Sequence, residues 1–211
     1  MKTKFRRLYS SIAALLLMCV VGQASATLIG PGVGLTGAAL DTQDNNGRIN
    51  IDNVGFVNFA AGNYQATTFS FDAGSDSTVT AFLALLTGTD TYEVIAASLF
   101  NVNAGQDQSL TFGGPNNLFT LAASANVYAG IATFGAPNPI QFSGGSTTDH
   151  DNNLSLASIG IGTVIDGFSH LDLRRQYNFE IDVSSVPEPG SLLLLGMGIV
   201  GLGFTRRKKK V

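Results

Sequence analysis

Short runs of alternating apolar and polar residues, separated by frequent turn signals, limit this chain to a small set of folds. The clearest run is Tyr177 to Val183, in which every second residue is apolar and the residues between them are Asn178, Glu180 and Asp182. Because successive side chains of a strand point to opposite faces, this pattern predicts a strand with one buried face and one acidic, hydrated face. Similar alternation predicts strands at residues 49–51, 79–85, 127–133 and 154–156.

Turn-forming residues recur between these runs throughout residues 27–185. Asn, Asp, Gly and Pro favour turns because they tolerate positive φ, fix φ, or hydrogen-bond to their own backbone. Many short strands joined by such turns are typical of antiparallel sandwiches. We therefore predict an all-β fold, a single antiparallel β-sandwich of jelly-roll or Ig-like type with roughly ten strands.

Two segments of this body are harder to assign. Residues 79–100 contain A-F-L-A-L-L and V-I-A-A-S-L-F, which could form helices, but Thr78, Val79 and Thr80 favour strands. We interpret the segment as strands and keep helices as the alternative. Residues 27–40 are rich in glycine and predict a loosely ordered lead-in.

Charge is strongly segregated along the sequence. The 12 Lys and Arg and the 15 Asp and Glu give a formal net charge of −3. Residues 27–189 hold all the acidic residues and three basic ones, and so carry −12, whereas residues 1–26 carry +4 and residues 190–211 carry +5. A body this acidic lacks the cationic surface that meets phosphates, so we expect no nucleic-acid binding.

The first 26 residues have the three parts of a secretory signal peptide. A basic segment, residues 1–9, precedes the apolar run Ile12 to Val21, and Ala24 and Ala26 stand three and one residues before the next bond. Ten apolar residues are too few to span a hydrocarbon layer of about 30 Å. We predict a signal helix that is cleaved between Ala26 and Thr27 after delivery by the general secretion machinery.

The other end combines a proline motif, a short apolar run and a basic cluster. Val186, Pro187, Glu188 and Pro189 precede the apolar residues 192–204, which as a helix would extend only about 20 Å. The two prolines keep the approach to this run extended and accessible. Basic residues stay on the cytoplasmic side, so a short transmembrane helix here would hold the acidic body outside. The basic stop comprises Arg206, Arg207, Lys208, Lys209 and Lys210.

This order of motif, short Leu/Gly-rich helix and basic terminus resembles the PEP-CTERM sorting tail of Gram-negative bacteria, over Val186 to Lys210. The resemblance implies that the chain is a substrate of an exosortase, an integral-membrane protease of transpeptidase type. It also implies export across the inner membrane, transient anchoring by the C-terminal helix, cleavage near Glu188, and release or attachment at the cell surface, often alongside exopolysaccharide. The predicted organisation is a signal peptide over 1–26, an ectodomain over 27–185 and a sorting tail over 186–211.

Two oxygen-rich loops of the acidic body are candidates for an ion site. Residues 41–52, aligned on Gly47, place Asp44 and Asn46 at ligand positions of a calcium loop but put Thr42 where such a loop needs its first Asp. The alternative is a hairpin loop whose side chains cap its own backbone. A second loop, Asp149–Asn152, would contribute only if folding brought the two together. The candidate calcium ligands are Asp41, Asp44, Asn46, Asp52, Asp149 and Asp151, and we expect no other cofactor.

The sequence of the body lacks the parts of a recognisable catalytic site. The one cysteine, Cys19, lies in the signal peptide, the two histidines His150 and His170 have no metal-ligand spacing, and no nucleophile-elbow motif occurs. We therefore expect a non-enzymatic surface or matrix protein with a role in adhesion, biofilm formation or exopolysaccharide association. The alternative is a secreted carbohydrate-active enzyme, which needs two facing carboxylates roughly 5–10 Å apart, or a calcium-dependent lectin-like module.

Overall fold

The computed structural model of the chain describes residues 26–33, 48–134, 138–144, 149–152, 156–166 and 175–186. Within these ranges most residues lie in strands, the one helix is a single 3₁₀ turn at Pro115–Asn117, and all strand pairings are antiparallel. The all-β prediction is confirmed. The predicted signal helix and the predicted C-terminal helix lie outside the described residues. Those described ranges contain no helix that is long and apolar enough to cross a membrane.

Fourteen strands occur in the described residues. They are β1 Ala26–Gly32, β2 Arg48–Asp52, β3 Val57–Phe59, β4 Gly62–Ala73, β5 Ser77–Gly88, β6 Thr91–Val102, β7 Gly105–Thr111, β8 Leu118–Leu121, β9 Ala125–Thr133, β10 Phe142–Gly144, β11 Asp149–Asn152, β12 Val164–Ile165, β13 Arg175–Tyr177 and β14 Phe179–Ser185.

Two sheets contain most of these strands. The five-stranded sheet has the order β1-β14-β4-β7, and β8 pairs with the first part of β4. The seven-stranded sheet has the order β11-β2-β9-β5-β6-β12, and β3 pairs with the first part of β9. β10 and β13 form a separate pair. The final strand, β14, therefore lies inside its sheet, between β1 and β4.

One apolar core contains side chains from both large sheets. Phe69 and Phe71 of β4 and Ile181 of β14 share it with Leu83 of β5 and Ile131 of β9, and all five side chains are fully buried. The rings of Phe69 and Phe71 stack with their centroids 4.7 Å apart. Removing each such side chain from water contributes about 1.5–3 kcal/mol to folding. We define the inner face of each sheet as the one that carries these core residues.

The outer face of the seven-stranded sheet is apolar as well. Phe82 of β5 lies over Gly130 of β9, and Ile159 and Ile165 from residues 156–166 pack on the same cluster. Because β5 is buried on both faces, its sequence lacks the polar alternation of a half-exposed strand. That double burial explains why the sequence of residues 79–100 is compatible with helices as well as strands. In the structure these residues belong to β5 and β6.

Other sequence-based expectations for the body were wrong in detail. Residues 26–32 form β1 instead of a loose lead-in, because they pair with β14 and bury Ile29, which is 1% exposed. Leu156 lies outside any strand. The strand predicted over 177–183 is divided at Asn178. The N–H of Asn178 donates to the carbonyl of Gln141, and the carbonyl of Asn178 accepts the N–H of Asp72.

Candidate functional site

Strand pairing brings three of the predicted calcium ligands onto neighbouring positions. β11 pairs with β2 so that Asp149 is opposite Asp52 and Asp151 is opposite Asn50. Directly opposite residues of an antiparallel pair share one face of the sheet. We define Asn50, Asp52, Asp149 and Asp151 as the β2–β11 patch. The prediction of a loop at Asp149–Asn152 was wrong, because the backbone of these residues pairs with β2.

The patch belongs to the inner face of the seven-stranded sheet. On its other side β2 pairs with β9, and there Asn50 lies opposite the core residue Ile131. Ile49 and Ile51 alternate with Asn50 and belong to the outer cluster. Asn50 is 1% exposed and Asp52 is 4% exposed. This edge of the sheet thus buries polar groups on a face that elsewhere is apolar.

Asp52 uses one of its carboxylate oxygens to close the turn that follows β2. Oδ1 accepts the backbone N–H groups of Val54 and Gly55, both at 3.1 Å. Among the described residues no donor hydrogen-bonds to Oδ2. A methyl group at Gly55 would collide with Oδ2, so glycine is required for this close approach. The turn therefore fixes the carboxylate and leaves one oxygen available.

Asn50 is the residue of the patch that the sequence did not indicate. In the described part of the chain neither Nδ2 nor Oδ1 has a hydrogen-bond partner, although both atoms are buried. Leaving a buried polar group without a partner costs about 1–3 kcal/mol. Its burial follows from the register of β2 with β9, a non-local pairing that the alternation of residues 49–51 alone does not reveal.

The structure describes the side chain of only one predicted calcium ligand, Asp52. Asp41, Asp44 and Asn46 lie outside the described residues. Asp149 and Asp151 are placed by their backbone alone. Among the residues that were described, no group of three or more His, Cys, Asp or Glu side chains is arranged to hold a metal ion.

A second buried carboxylate, Asp72, connects several segments at the end of β4. Its Oδ1 accepts the backbone N–H of Asp107 at 2.7 Å, and its Oδ2 accepts a hydrogen bond from Nδ2 of Asn178 at 3.1 Å. Its own carbonyl accepts the N–H of Gln141 at 2.8 Å. Asp72 is 2% exposed and lies in β4. These contacts give it a structural role.

Two titratable side chains on the strands have raised pKa values. Burial, with smaller contributions from Tyr128 and Asp90, raises the pKa of Tyr92 to about 12. The rings of Tyr92 and Tyr128 meet edge to face with centroids 5.3 Å apart. Burial, and secondly the negative charge of Asp182, raises the pKa of Glu180. Desolvation disfavours the charged form of both acids, which accounts for the direction of both shifts.

The two ends of the folded unit lie side by side in the five-stranded sheet. Residues 26–185 form one compact unit, in which Ala26 of β1 is opposite Ser184 of β14 and Thr27 is opposite Val183. The predicted signal-cleavage bond therefore coincides with the start of β1. Val186 follows β14 directly, outside any strand. Ala24, the segment Pro187–Pro189 and the basic stop 206–210 lie outside the described residues.

Comparison with protein families settles what the C-terminal residues are. Residues 185–209 match the family model described as the PEP-CTERM protein-sorting motif. The chain carries a PEP-CTERM sorting motif. The resemblance noted in the sequence is thereby confirmed, and the match begins at Ser185, the last residue of β14. No curated protein and no solved structure matched the chain.

The PEP-CTERM motif fixes the route that the protein takes. It indicates an exported protein whose processing partner is an exosortase, anchored first in the membrane and then located at the cell surface. The motif covers 25 residues at one end of the chain, from 185 to 209. It therefore identifies the sorting of the protein and not the role of the β-structured body.

Proposed function

We propose that this chain is a non-enzymatic surface or extracellular-matrix protein whose β-sandwich body, residues 27–185, associates with exopolysaccharide after exosortase processing. The observation that carries the proposal is the direct passage from the last strand into the sorting motif. β14 ends at Ser185, and the motif starts at the same residue. β14 lies between β1 and β4, so the sorting motif continues from a strand inside the five-stranded sheet.

Polar groups on the exposed strands support contact with a hydroxyl-rich matrix. Nδ2 of Asn58 donates to Oδ1 of Asn126 at 2.8 Å across β3 and β9, and the hydroxyl of Thr120 donates to Oδ1 of Asn63 at 2.8 Å across β8 and β4. Such exposed amide and hydroxyl groups can exchange these bonds for bonds to sugar hydroxyls at little net cost. The body thus offers hydrogen bonding to polysaccharide without a deep cleft being required.

Cell fractionation tests the role of the body. An exopolysaccharide-producing, exosortase-competent host would express the full chain, the chain without residues 186–211, and an unrelated exported domain fused to residues 185–211. We expect the full chain to remain with the washed exopolysaccharide and the unrelated fusion to reach the surface but wash away. Equal retention of the unrelated fusion would show that the body has no binding role.

The β2–β11 patch favours a second candidate, a calcium-dependent lectin-like module on the same body. This candidate predicts that a chelator releases the full chain from the exopolysaccharide fraction and that restored calcium returns it. The carbohydrate-active enzyme remains the further alternative. New reducing ends appearing when the purified full chain is incubated with the exopolysaccharide would establish that activity and overturn the non-enzymatic proposal.

A further inference from the structure

We propose that the outer face of the seven-stranded sheet carries a binding platform for uncharged sugar rings, at the end where β3 pairs with β9. This inference rests on the proposed function, because it names the part of the body that contacts exopolysaccharide. The platform combines two exposed apolar side chains, one phenol and two amides, which are Phe56, Leu86, Tyr128, Asn58 and Asn126. We call these five residues the Phe56 platform.

Strand register places the platform residues side by side. Phe56 directly precedes β3, and the centroid of its ring lies 5.3 Å from that of Tyr128 on β9. Asn58 is opposite Asn126, and Leu86 lies on β5 one residue past the last position that pairs with β9. The residues that alternate with them along β3, β9 and β5 pack in the inner core, so these side chains belong to the outer face. Adjacent strands are about 4.8 Å apart, so the platform extends about 10 Å across three strands.

The apolar part of the platform is exposed and held in position by packing. Phe56 is 42% exposed and Leu86 is 48% exposed. The ring of Phe56 is tilted by 40° against that of Tyr128, which in turn meets the ring of Tyr92 edge to face. A sugar ring has a face of C–H groups, which can pack on an aromatic ring as other apolar groups do. Because the ring of Phe56 is oriented before a ligand arrives, binding costs little conformational entropy.

Polar groups at the border of this apolar surface match the hydroxyls at the rim of a sugar. Nδ2 of Asn58 donates to Oδ1 of Asn126 at 2.8 Å, and no other hydrogen bond joins either amide to a described residue. Each amide can make further bonds. Tyr128 is 5% exposed, yet no hydrogen bond joins its hydroxyl to any residue that the structure describes. Buried tyrosine hydroxyls usually have a partner, and a sugar hydroxyl would supply one.

The charge of the body favours an uncharged ligand on this surface. The five platform residues carry no charge, whereas residues 27–189 carry −12. A strongly anionic partner would be repelled by the rest of the body, and a cationic one would find no carboxylate on the platform. A second copy of the chain would bring the same negative charge to the contact. Uncharged sugar rings meet neither obstacle.

Affinity electrophoresis of the full-length chain in non-ionic detergent tests the proposal. The probe is soluble exopolysaccharide from the exosortase-competent host, cast into a native gel. We expect the polysaccharide to retard the parent chain and Phe56→Ala to bind it about tenfold more weakly, because a stacking contact is lost. Phe56→Tyr keeps the ring and should bind within about twofold of the parent chain. Asn126→Ala and Tyr128→Phe should each weaken binding about threefold, because each removes a hydrogen-bonding group.

Leu99→Ala is the matched control. Leu99 is 69% exposed and lies on the outer face of β6, opposite Thr80. It is seven positions, roughly 20 Å, along β6 from Tyr92, which is opposite Leu86 of the platform. This variant loses exposed apolar area on the same sheet face and should keep the affinity of the parent chain. Circular dichroism of each variant checks that it is folded.

The possible failures separate the platform from the proposed function. Unchanged affinity in Phe56→Ala, or an equal loss in Leu99→Ala, would overturn the platform and leave the proposed function standing. A parent chain that the polysaccharide does not retard would overturn both. Release of the bound parent chain by a chelator or by high salt would overturn the platform, because stacking and neutral hydrogen bonds need no ion. A smaller molar mass of Phe56→Ala in light scattering would show that a second copy covers the platform, and would overturn it as well.

Discussion

Replacing Asp72 by alanine should lower the free energy of unfolding of the body. Asp72 is 2% exposed, and its side chain accepts hydrogen bonds from the backbone N–H of Asp107 at 2.7 Å and from Nδ2 of Asn178 at 3.1 Å. Alanine would leave Nδ2 of the buried Asn178 without this acceptor, whereas the N–H of Asp107, an exposed residue, could turn to water. The loss at the buried donor costs about 1–3 kcal/mol and the loss at the exposed one about 0.5–1.5 kcal/mol, so the free energy of unfolding should fall by roughly 1.5–4.5 kcal/mol.

Asparagine at the same position separates the two hydrogen bonds. Asp72→Asn keeps an oxygen for the N–H of Asp107 but presents an amide NH₂ towards Nδ2 of Asn178, so we expect a loss of about 1–3 kcal/mol. For a domain of this size each kcal/mol corresponds to roughly 2–4 °C in melting temperature. Alanine should therefore lower the melting temperature by about 3–18 °C, and asparagine by less.

Urea unfolding of the full-length chain, followed by circular dichroism, measures these differences. Asp76→Ala serves as the control, because its carboxylate is exposed and accepts one backbone N–H. Changes at an exposed loop of this kind usually remain within about 0.5–1 kcal/mol. If Asp72→Ala lay within 0.5 kcal/mol of the parent chain, or if asparagine and alanine were equally destabilising, the structural role assigned to Asp72 would be refuted.

Two further predictions concern the outer face of the seven-stranded sheet. A methyl group at Gly130 would collide with the ring of Phe82, so Gly130→Ala should lower the free energy of unfolding by about 1–3 kcal/mol. Adding Phe82→Leu, which has a smaller side chain, should recover part of that loss in urea unfolding. If the losses of the two single variants simply added in the double variant, this packing would be contradicted. The pKa of Tyr92 is raised to about 12 in the folded state. An unfolded tyrosine has a pKa near 10, so between these two pH values the folded chain keeps the proton that the unfolded chain has lost. The contribution of Tyr92 to stability should therefore be full below pH 10 and fall between pH 10 and 12. Tyr92→Phe should lose stability less steeply over that interval, and an identical pH dependence in both chains would contradict the shift.

The local features of the fold were predictable from sequence, and the non-local ones were not. The alternation of apolar and polar residues over 179–183 predicted a half-buried strand, because the polarity of each residue indicates which face of the strand is buried. β14 has that burial pattern. β1 was missed because its glycines suggest a loop, whereas pairing with β14, far along the chain, buries Ile29. β11 was missed for the same reason, since Asp149–Asn152 has no apolar alternation and becomes a strand only through β2.

The candidate site shows the same division. Oxygen-rich residues in two distant segments predicted calcium ligands by residue type, and register placed Asp52, Asp149 and Asp151 on one face. Asn50 could not be predicted, because its burial depends on the pairing of β2 with β9. The sorting motif was predictable because its proline motif, apolar run and basic cluster are contiguous in sequence, and the family match covers residues 185–209.

The central claim is that an exosortase processes this chain after export, and intact-mass analysis of the protein recovered from the cell surface tests it most directly. In an exosortase-competent host we expect a mass that starts at Thr27 and lacks the residues beyond about Pro189, a position predicted from the Pro-Glu-Pro sequence. The same host without its exosortase should yield the chain from Thr27 to Val211. A surface protein that still contains Leu192 to Lys210 in the competent host would contradict processing and leave a membrane-anchored tail in its place.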